Sequence, residues 1–316
     1  MNNSSLIRKD LRPIPEAPEE IRLFACIRNE ATKLPYFFKF YRDMGVQRFF
    51  FVDNQSTDES LSFLLSQPDT HVFYTEESYA ESRCGVDWLN TMLQEYGLGH
   101  WVLVVDADEL FVYPGCEHIS FRKFLALLES EQAQGVLTFL LDMYSDAPIK
   151  DTHYNKGTPF LSTCPYYDVD TYQLERYGPY DQFPVRGGVR KRLFWHGYEH
   201  RGNPPVLQKI PLVKWREGLS FEASTHLLRG VSLASVTGAL LHFKLFSSFV
   251  SNIKTEKTRK EHWDEAAQYC AYADVMEKNP NLNPYFHGSA RYHHSMQLVE
   301  QGLMRIPEDY PKNNTD

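Results

Sequence analysis

Between Ile21 and Asp142 the chain alternates short apolar segments with segments whose apolar residues recur at helical spacing. The apolar segments predict strands over 21–27, 49–53, 71–75, 101–105 and 136–142. The segments between them carry the apolar stripe of a helix, for example Leu34, Phe37, Phe38 and Tyr41, with Gly45 at the position where a helix ends. Strands that alternate with helices form parallel βαβ units. The chain therefore predicts an α/β fold with a mostly parallel sheet flanked by helices.

Four of the predicted strands end in polar or acidic residues, namely Arg28-Asn29-Glu30, Asp53-Asn54, Asp106-Ala107-Asp108-Glu109 and Asp142. In a doubly wound sheet, ligands bind beyond the carboxyl ends of the strands. Four polar ends that converge on one edge therefore predict a site there.

This prediction depends mainly on the acidic residues that follow the fourth predicted strand. In extended backbone, Asp106 and Asp108 point to the same face, because side chains two residues apart do so. Two like charges that close repel by about 1 to 4 kcal/mol, and Glu109 adds to the repulsion. A divalent cation with oxygen ligands, Mn²⁺ or Mg²⁺, would relieve it. The alternative is a polar strand end in which Asp106 accepts bonds from backbone N–H groups.

Composition restricts the classes of partner and location. The chain has 316 residues, 42% of them hydrophobic, and a formal net charge of −8, which argues against nucleic acid as the main partner. No apolar run approaches the roughly 18 residues that span a bilayer, and residues 1–20 are polar. We expect a cytoplasmic protein without a transmembrane segment, and peripheral membrane contact stays open. Its five cysteines include no Cys-x-x-Cys pair, which predicts reduced thiols.

The pattern divides the chain into an N-terminal extension (1–20), a catalytic domain (21–245) and a helical C-terminal region (246–316). Within the domain, the alternating half spans 21–142. Residues 143–245 are loop-rich and aromatic, which predicts an irregular acceptor-side half. Short strand-like pieces stand out within it, at Val189–Phe194, Val206–Val213 and Gly238–Lys244.

Three motifs in order resemble glycosyltransferase family 2. They are Arg28-Asn29-Glu30 after the first strand, the turn Val52-Asp53-Asn54-Gln55-Ser56-Thr57-Asp58, and Asp106-Ala107-Asp108-Glu109. The resemblance covers residues 21–142 and implies a GT-A (Rossmann-like) fold. Asn54-Gln55 departs from the usual Asp-Gly of that turn, and the family's Gln-x-x-Arg-Trp element has no counterpart here, so the resemblance is to a divergent branch. On the residues alone, Ser56 or Thr57 would cap the next helix.

The resemblance also implies roles for single residues. Asn29, Glu30 and Asp53 would contact the nucleotide, with Asp53 on the base. Asp106 would hold the ribose or the metal, and Asp108 would ligate Mn²⁺ or Mg²⁺ on the diphosphate of a nucleotide sugar. Two further residues take roles from their positions, Arg83 as a donor-binding arginine and His242 as a late metal ligand. A core histidine is the alternative for His242, and His226 competes with it for the metal role.

The basic stretch Arg186-Gly187-Gly188-Val189-Arg190-Lys191-Arg192 is the one concentrated positive segment of the sequence. If Val189–Phe194 is extended, Arg190 and Arg192 share a face and can bind phosphate oxygens in a forked geometry. The alternative is a solvated edge strand that its charges protect from aggregation.

Transfer to a hydroxyl acceptor requires a general base, because an alcohol is a poor nucleophile at neutral pH. Asp142 and Asp146 are the favoured candidates. Asp181, Glu199 and Glu222 stay open.

The leading hypothesis is a metal-dependent glycosyltransferase that moves a sugar from a nucleotide-sugar donor to a saccharide or other hydroxyl acceptor with inversion. Two alternatives use the same edge of the sheet. One is a nucleotidyltransferase, and the other is a non-catalytic module that binds nucleotides or carbohydrates.

Overall fold

The computed structural model describes residues 6–174, 184–197, 203–261 and 263–311. The strands are β1 (Ile7–Arg8), β2 (Ile21–Ile27), β3 (Arg48–Asp53), β4 (Thr70–Tyr74), β5 (Trp101–Val104), β6 (Glu109–Val112), β7 (Gly135–Asp142), β8 (Tyr166–Asp168), β9 (Gln173–Leu174), β10 (Val185–Arg186), β11 (Gln208–Lys214), β12 (Ala239–His242) and β13 (Ser289–Arg291). The α-helices are α1 (Leu34–Met44), α2 (Ser60–Ser66), α3 (Val86–Tyr96), α4 (Phe121–Ser130), α5 (Gly188–Phe194), α6 (Ser248–Arg259), α7 (Trp263–Lys278) and α8 (Ser295–Glu300).

A nine-stranded sheet with the order β1-β4-β3-β2-β5-β11-β7-β12-β6 forms the centre of the fold. β4, β3, β2 and β5 are parallel neighbours. β11 is antiparallel to both β5 and β7, and β12 is parallel to β7. Six strands therefore run in one direction, and β1, β6 and β11 oppose them. This confirms the predicted α/β fold with a large, mostly parallel sheet flanked by helices.

Helix α1 shows why the periodic pattern was informative. Its apolar stripe is buried against the sheet, at Leu34, Phe37, Phe38 and Tyr41. Each such side chain contributes about 1.5 to 3 kcal/mol through its removal from water. Gly45 ends the helix with φ of 112°, a conformation that glycine adopts without strain.

The next helix begins later than the sequence indicates. Ser56 and Thr57 precede α2, whose first residue is Ser60. The Ser56 hydroxyl instead accepts the Asn29 N–H at 2.9 Å, and the Ser56 N–H donates to Asp53 Oδ1 at 2.9 Å. The predicted capping residues therefore tie the first two strand ends together.

The strand predicted over 101–105 is β5 (Trp101–Val104), and the chain turns at the acids that follow it before β6 begins at Glu109. The Glu109 N–H donates to the Asp106 carbonyl at 3.0 Å. β5 pairs with β2 and β11, whereas β6 pairs with β12 at the far edge of the sheet. The acids thus lie where the chain crosses from the middle of the sheet to its edge.

The prediction that Val189–Phe194 is extended is wrong, since this segment forms α5. Gly187 and Gly188 have φ of 136° and 68°, so the chain turns directly into a helix. Val189 and Phe194 are buried in an apolar cluster with residues of α6 and α7. On a helix, Arg190 and Arg192 no longer share a face.

The division of the chain into 1–20, 21–245 and 246–316 stays a prediction. β11 and β12 come from the irregular half and complete the sheet. No α-helix within the described ranges has the length and apolar character needed to cross a bilayer.

Candidate active site

The acids after β5 form the centre of the candidate site. We call Asp106, Asp108 and Glu109 the acidic rim. Their side chains differ in exposure, at 56%, 15% and 1%. Asp106 therefore opens to solvent, Asp108 is half-buried, and Glu109 is enclosed by protein.

Lys209 on β11 supplies the positive charge that the acids require. Its side chain is 1% exposed. The Lys209 Nζ donates to both carboxylate oxygens of Glu109 at 2.8 and 2.9 Å and to Asp106 Oδ2 at 3.2 Å. Desolvation would raise the pKa of Asp106, but the Lys209 charge outweighs it and lowers that pKa. Burial raises the pKa of Glu109 to about 7, and Lys209 opposes this rise.

A second lysine, Lys33, lies on the other side of the acidic rim. Its Nζ is 2.7 Å from Glu30 Oε2 and 3.5 Å from Asp108 Oδ2. Burial by itself would raise the pKa of Asp108, yet Lys33, ahead of the other nearby cations, holds it well below its usual range. Glu30, predicted to contact substrate, is therefore an ion-pair partner of Lys33 beside the acidic rim.

His242, Asp142 and Arg190 form a buried chain behind the acidic rim. Asp142 is 1% exposed, with Oδ1 2.5 Å from His242 Nδ1 and Oδ2 accepting the Arg190 Nε–H at 2.7 Å. His242 Nε2 faces Asp108 Oδ2 at 3.9 Å. Burial raises the pKa of Asp142, but Arg190 and His242 lower it below its usual range. Both oxygens of Asp142 are occupied, so this carboxylate orients His242 and is not placed as an open base.

The turns after β2 and β3 hold the predicted nucleotide contacts. Asn29 Oδ1 accepts the N–H groups of Thr57 and Asp58 at 2.7 and 3.3 Å, so this oxygen serves the turn itself. Asp53 is fully buried, and its Oδ2 has no hydrogen-bond partner in the structure. Burial raises the pKa of Asp53. An unsatisfied buried acceptor is costly, and this oxygen is closed to solvent, so the predicted contact of Asp53 with a nucleotide stays a prediction.

Three other predicted site residues lie in different surroundings. Arg83 is exposed, ion-paired with Asp87 and bonded to the Glu222 carbonyl. Arg192 makes a two-point contact with Asp168 at 2.8 and 3.0 Å, apart from the acidic rim. Asp146 is exposed, and its carbonyl accepts from Asn283. The structure does not bring these three residues to the acidic rim.

Three other acids were candidates for the general base, and His226 was a candidate metal ligand. Asp181 and Glu199 lie outside the described residues. Glu222 pairs with Arg229 at 3.1 Å. His226 donates from Nδ1 to the Gln208 carbonyl at 2.8 Å, and burial, assisted by the Lys209 charge, lowers its pKa to about 4.

Whether a metal ion fits this site depends on whether substrate phosphates supply some of its ligands. No group of three or more His, Cys, Asp or Glu side chains within the described ranges could hold a metal ion. A resident ion held by protein ligands alone therefore does not fit Asp106, Asp108 and His242. Mg²⁺ commonly binds through one or two carboxylates together with substrate phosphates. Asp106 and Asp108 fit that second arrangement.

The sequence reasoning missed two lysines at this site, Lys33 and Lys209. Lys209 had a readable signal, since it is one of two lysines in a strand whose other residues are mostly apolar, Gln208–Lys214. A buried lysine requires a buried acid, but its partners lie about a hundred positions away in the chain and no local pattern identifies them.

Comparison with known proteins gives matches at the level of structure. No protein-family model matches the chain, and no curated protein matches it. A UTP-bound UGPase from Acinetobacter baumannii is similar at 9% identity with a TM-score of 0.30, over 82% of this chain and 83% of that one. A 4-diphosphocytidyl-2C-methyl-D-erythritol synthase is similar at 11% identity with a TM-score of 0.27, over 90% and 99%. A UDP-glucose pyrophosphorylase from Acinetobacter baumannii is similar at 10% identity with a TM-score of 0.26, over 82% of each chain.

These matches correct the prediction of glycosyl transfer. The similar structures are named as pyrophosphorylases and a diphosphocytidyl synthase, and none of them is named as a glycosyltransferase. TM-scores of 0.26 to 0.30 do not transfer an activity between proteins. The function must therefore be argued from the chemistry of the site.

Proposed function

We propose that this protein is a nucleotidyltransferase that takes a Mg²⁺-bound nucleoside triphosphate and a phosphate monoester and releases pyrophosphate. The observation that carries the proposal is the pairing of the carboxylates at the site. Glu30, Asp106, Asp108, Glu109 and Asp142 each lie against Lys33, Lys209 or Arg190. Nearby cations lower the pKa of Asp106, Asp108 and Asp142, which makes these three carboxylates weak bases. Glu109, whose pKa burial raises, is enclosed by protein with both oxygens bonded to Lys209.

This pairing distinguishes two classes of nucleophile. A hydroxyl must lose a proton to attack, so it requires a general base. A phosphate monoester is already ionised at neutral pH, since its second pKa is about 6. It requires cations to bring two anions together, and the site supplies buried lysines and an arginine. The charges at the site therefore suit a phosphate nucleophile.

The reaction balances without a proton transfer from the protein. An oxygen of the phosphate monoester attacks the α-phosphorus of the triphosphate and forms a new P–O bond. The bond from the α-phosphorus to the bridging oxygen of the β-phosphate breaks, and pyrophosphate leaves with that electron pair. In phosphoryl transfers of this kind, catalysis is mostly positioning and neutralisation of charge.

The residues have distinct roles in this proposal. Asp106 and Asp108 would hold the Mg²⁺ that arrives with the phosphates. Lys209 orients Asp106, and Lys33 orients Asp108. Asp142 keeps His242 in place beside Asp108.

Pyrophosphate release from a panel of nucleoside triphosphates tests the proposal, with Mg²⁺ and sugar 1-phosphates as the first phosphate monoesters to try. We expect release that requires both substrates and falls at least about a hundredfold in Asp108→Asn. Asp151→Asn, an exposed aspartate far along the chain, should leave it unchanged. Binding of triphosphate without any turnover would favour the non-catalytic module, and release of a nucleoside diphosphate from nucleotide sugars instead would contradict the proposal.

A further inference from the structure

A hairpin turn carries His226 at the end of the sheet where the acidic rim lies. Phe221 and Leu228 pair as an antiparallel bridge, and the chain reverses between them. At the base of the turn, the backbone of Phe221 exchanges two hydrogen bonds with the Asn90 side chain of α3, both at 2.8 Å. We call residues 221–228 the histidine turn. These contacts fix its base independently of any ligand.

Strand β11 brings the tip of the histidine turn to the acidic rim. β11 is antiparallel to β5, so it begins at the end of the sheet where β5 stops and the acids follow. Lys209, its second residue, donates from Nζ to Asp106 Oδ2 at 3.2 Å. Gln208, its first residue, accepts the His226 Nδ1–H at its carbonyl at 2.8 Å. Adjacent residues of β11 therefore hold His226 and Asp106.

The bond to Gln208 determines what the His226 ring can do. Because a carbonyl only accepts, Nδ1 carries the proton, and in a neutral imidazole Nε2 is then an acceptor. Burial, assisted by the Lys209 charge, lowers the pKa of His226 to about 4, so the ring is neutral at pH 7. No residue in the part of the chain that the structure describes bonds Nε2, and the His226 side chain is partly exposed. His226 therefore presents an acceptor for a hydrogen bond, and it is too weak a base to take a proton.

An acceptor of this kind suits the second substrate of the proposed reaction. The phosphates of both substrates are themselves acceptors, so Nε2 requires a different group, and a hydroxyl is the donor that such molecules carry. In the sheet, β2 and β3 lie on one side of β5, and β11 lies on the other. The turns after β2 and β3 are the predicted nucleotide contacts. The side of the acidic rim at His226 is left for the phosphate monoester.

We propose that His226 Nε2 accepts a hydrogen bond from a hydroxyl group of the phosphate monoester, so that the monoester is a phosphate of a sugar or another polyol. This inference rests on the proposed function, because that reaction brings a phosphate monoester to the acidic rim. His226 determines specificity in this account and takes no part in the transfer itself.

Calorimetric binding to the whole protein tests the inference without turnover. The ligands are the 1-phosphates of glucose, galactose and mannose, together with cyclohexyl phosphate, which has a ring of the same size and no hydroxyl. His226→Asn keeps a side-chain N–H for the Gln208 carbonyl and removes the Nε2 acceptor. We expect the Kd of the sugar 1-phosphate that binds most tightly to rise about threefold to tenfold in this variant, and the Kd of cyclohexyl phosphate to stay unchanged.

His153→Asn is the matched control, since it makes the same change at an exposed histidine whose Nδ1 lies 3.0 Å from Ser247 Oγ. It should leave every Kd unchanged. Equal weakening of all ligands in His226→Asn would show a structural role, and no weakening would show no contact, so either result overturns the inference. A wild-type protein that binds no sugar 1-phosphate more tightly than cyclohexyl phosphate would overturn it as well.

The same measurements separate this inference from the proposed function. Weakening confined to sugar 1-phosphates, in a protein that releases no pyrophosphate, would sustain the hydroxyl contact and reject the proposed reaction. Pyrophosphate release by a protein whose sugar 1-phosphate binding does not change in His226→Asn would overturn the inference and leave the proposed reaction in place.

Discussion

At the scale of single residues, the site is governed by buried charges that depend on each other. Lys209 and Glu109 are each 1% exposed, and neither could stay ionised at that depth without the other. Asp106, by contrast, bonds Lys209 with one oxygen and turns the rest of its side chain to solvent. The buried pair therefore fixes the backbone from which Asp106 and Asp108 project.

Replacement of Lys209 by methionine tests this dependence. Removal of one partner of a buried pair costs about 3 to 5 kcal/mol, so Lys209→Met should lower the free energy of unfolding by that amount at pH 8. Burial raises the pKa of Glu109. A carboxyl group whose pKa is higher in the folded state than in the unfolded state destabilises the fold as pH rises through the folded-state pKa. The loss of free energy of unfolding in Lys209→Met should therefore be smaller at pH 5 than at pH 8.

Urea unfolding of the variant between pH 5 and pH 8 measures this effect. Addition of Glu109→Gln to Lys209→Met removes the unpaired charge and should recover much of the loss at pH 8. A loss below about 1 kcal/mol that does not change with pH would contradict the account of this pair.

At the scale of elements, the entry into α5 positions Arg190 at Asp142. Gly187 has φ of 136°, and a Cβ there would lie 2.2 Å from the Thr171 carbonyl oxygen. No side chain fits without a shift of the backbone. The turn that follows presents Arg190 to Asp142.

Gly187→Ala should therefore destabilise the protein by at least about 2 kcal/mol, through strain and collision with backbone. Gly218 is a matched control, since it has φ of 79° and nothing within 4 Å of an added Cβ. Gly218→Ala should lower the free energy of unfolding by only about 1 kcal/mol. Thermal unfolding of both variants measures the difference, and equal losses would show that the turn before α5 is not constrained as described.

The short strand β1 pairs with β4, and the buried carboxylate of Asp10 attaches the following residues to the sheet as well. Asp10 is 5% exposed and accepts the N–H groups of Val72 and Arg12 at 2.9 and 3.0 Å. Burial would raise the pKa of Asp10, but Arg8 and these N–H groups hold it well below its usual range. The stability that Asp10 adds is therefore complete above the unfolded-state pKa of about 3.9 and is lost as pH falls below it.

Asp10→Asn should cost about 1.5 to 3 kcal/mol at pH 7, because hydrogen bonds to a charged group are lost. The difference in free energy of unfolding between this variant and the wild type should become smaller as pH falls from 4 to 3. Asp43→Asn, at an exposed pair with Lys39, should change stability by less than about 0.5 kcal/mol. Denaturant unfolding at several pH values measures these free energies. A difference between Asp10→Asn and the wild type that stays constant down to pH 3 would contradict the role given to Asp10.

At the scale of the whole molecule, the elements that could be predicted from the sequence are those with a local pattern of apolar residues. Strand β2 and the buried stripe of α1 follow directly from the spacing of apolar residues. The crossing from β5 to β6 does not, because β6 pairs with a strand about 130 residues later in the chain. Lys209 was missed for the same reason, and α5 was mistaken for a strand because a seven-residue basic segment has little periodicity.

The central claim of this account is that Asp106 and Asp108 receive a divalent cation together with a nucleoside triphosphate and not before it. Binding of Mn²⁺ measured by electron paramagnetic resonance tests this most directly, because it requires neither turnover nor the second substrate. We predict weak binding of Mn²⁺ to the protein alone, binding at least about tenfold tighter with a nucleoside triphosphate present, and loss of that gain in Asp108→Asn. Equal affinity with and without the nucleotide, or an unchanged gain in a folded Asp108→Asn variant, would contradict it.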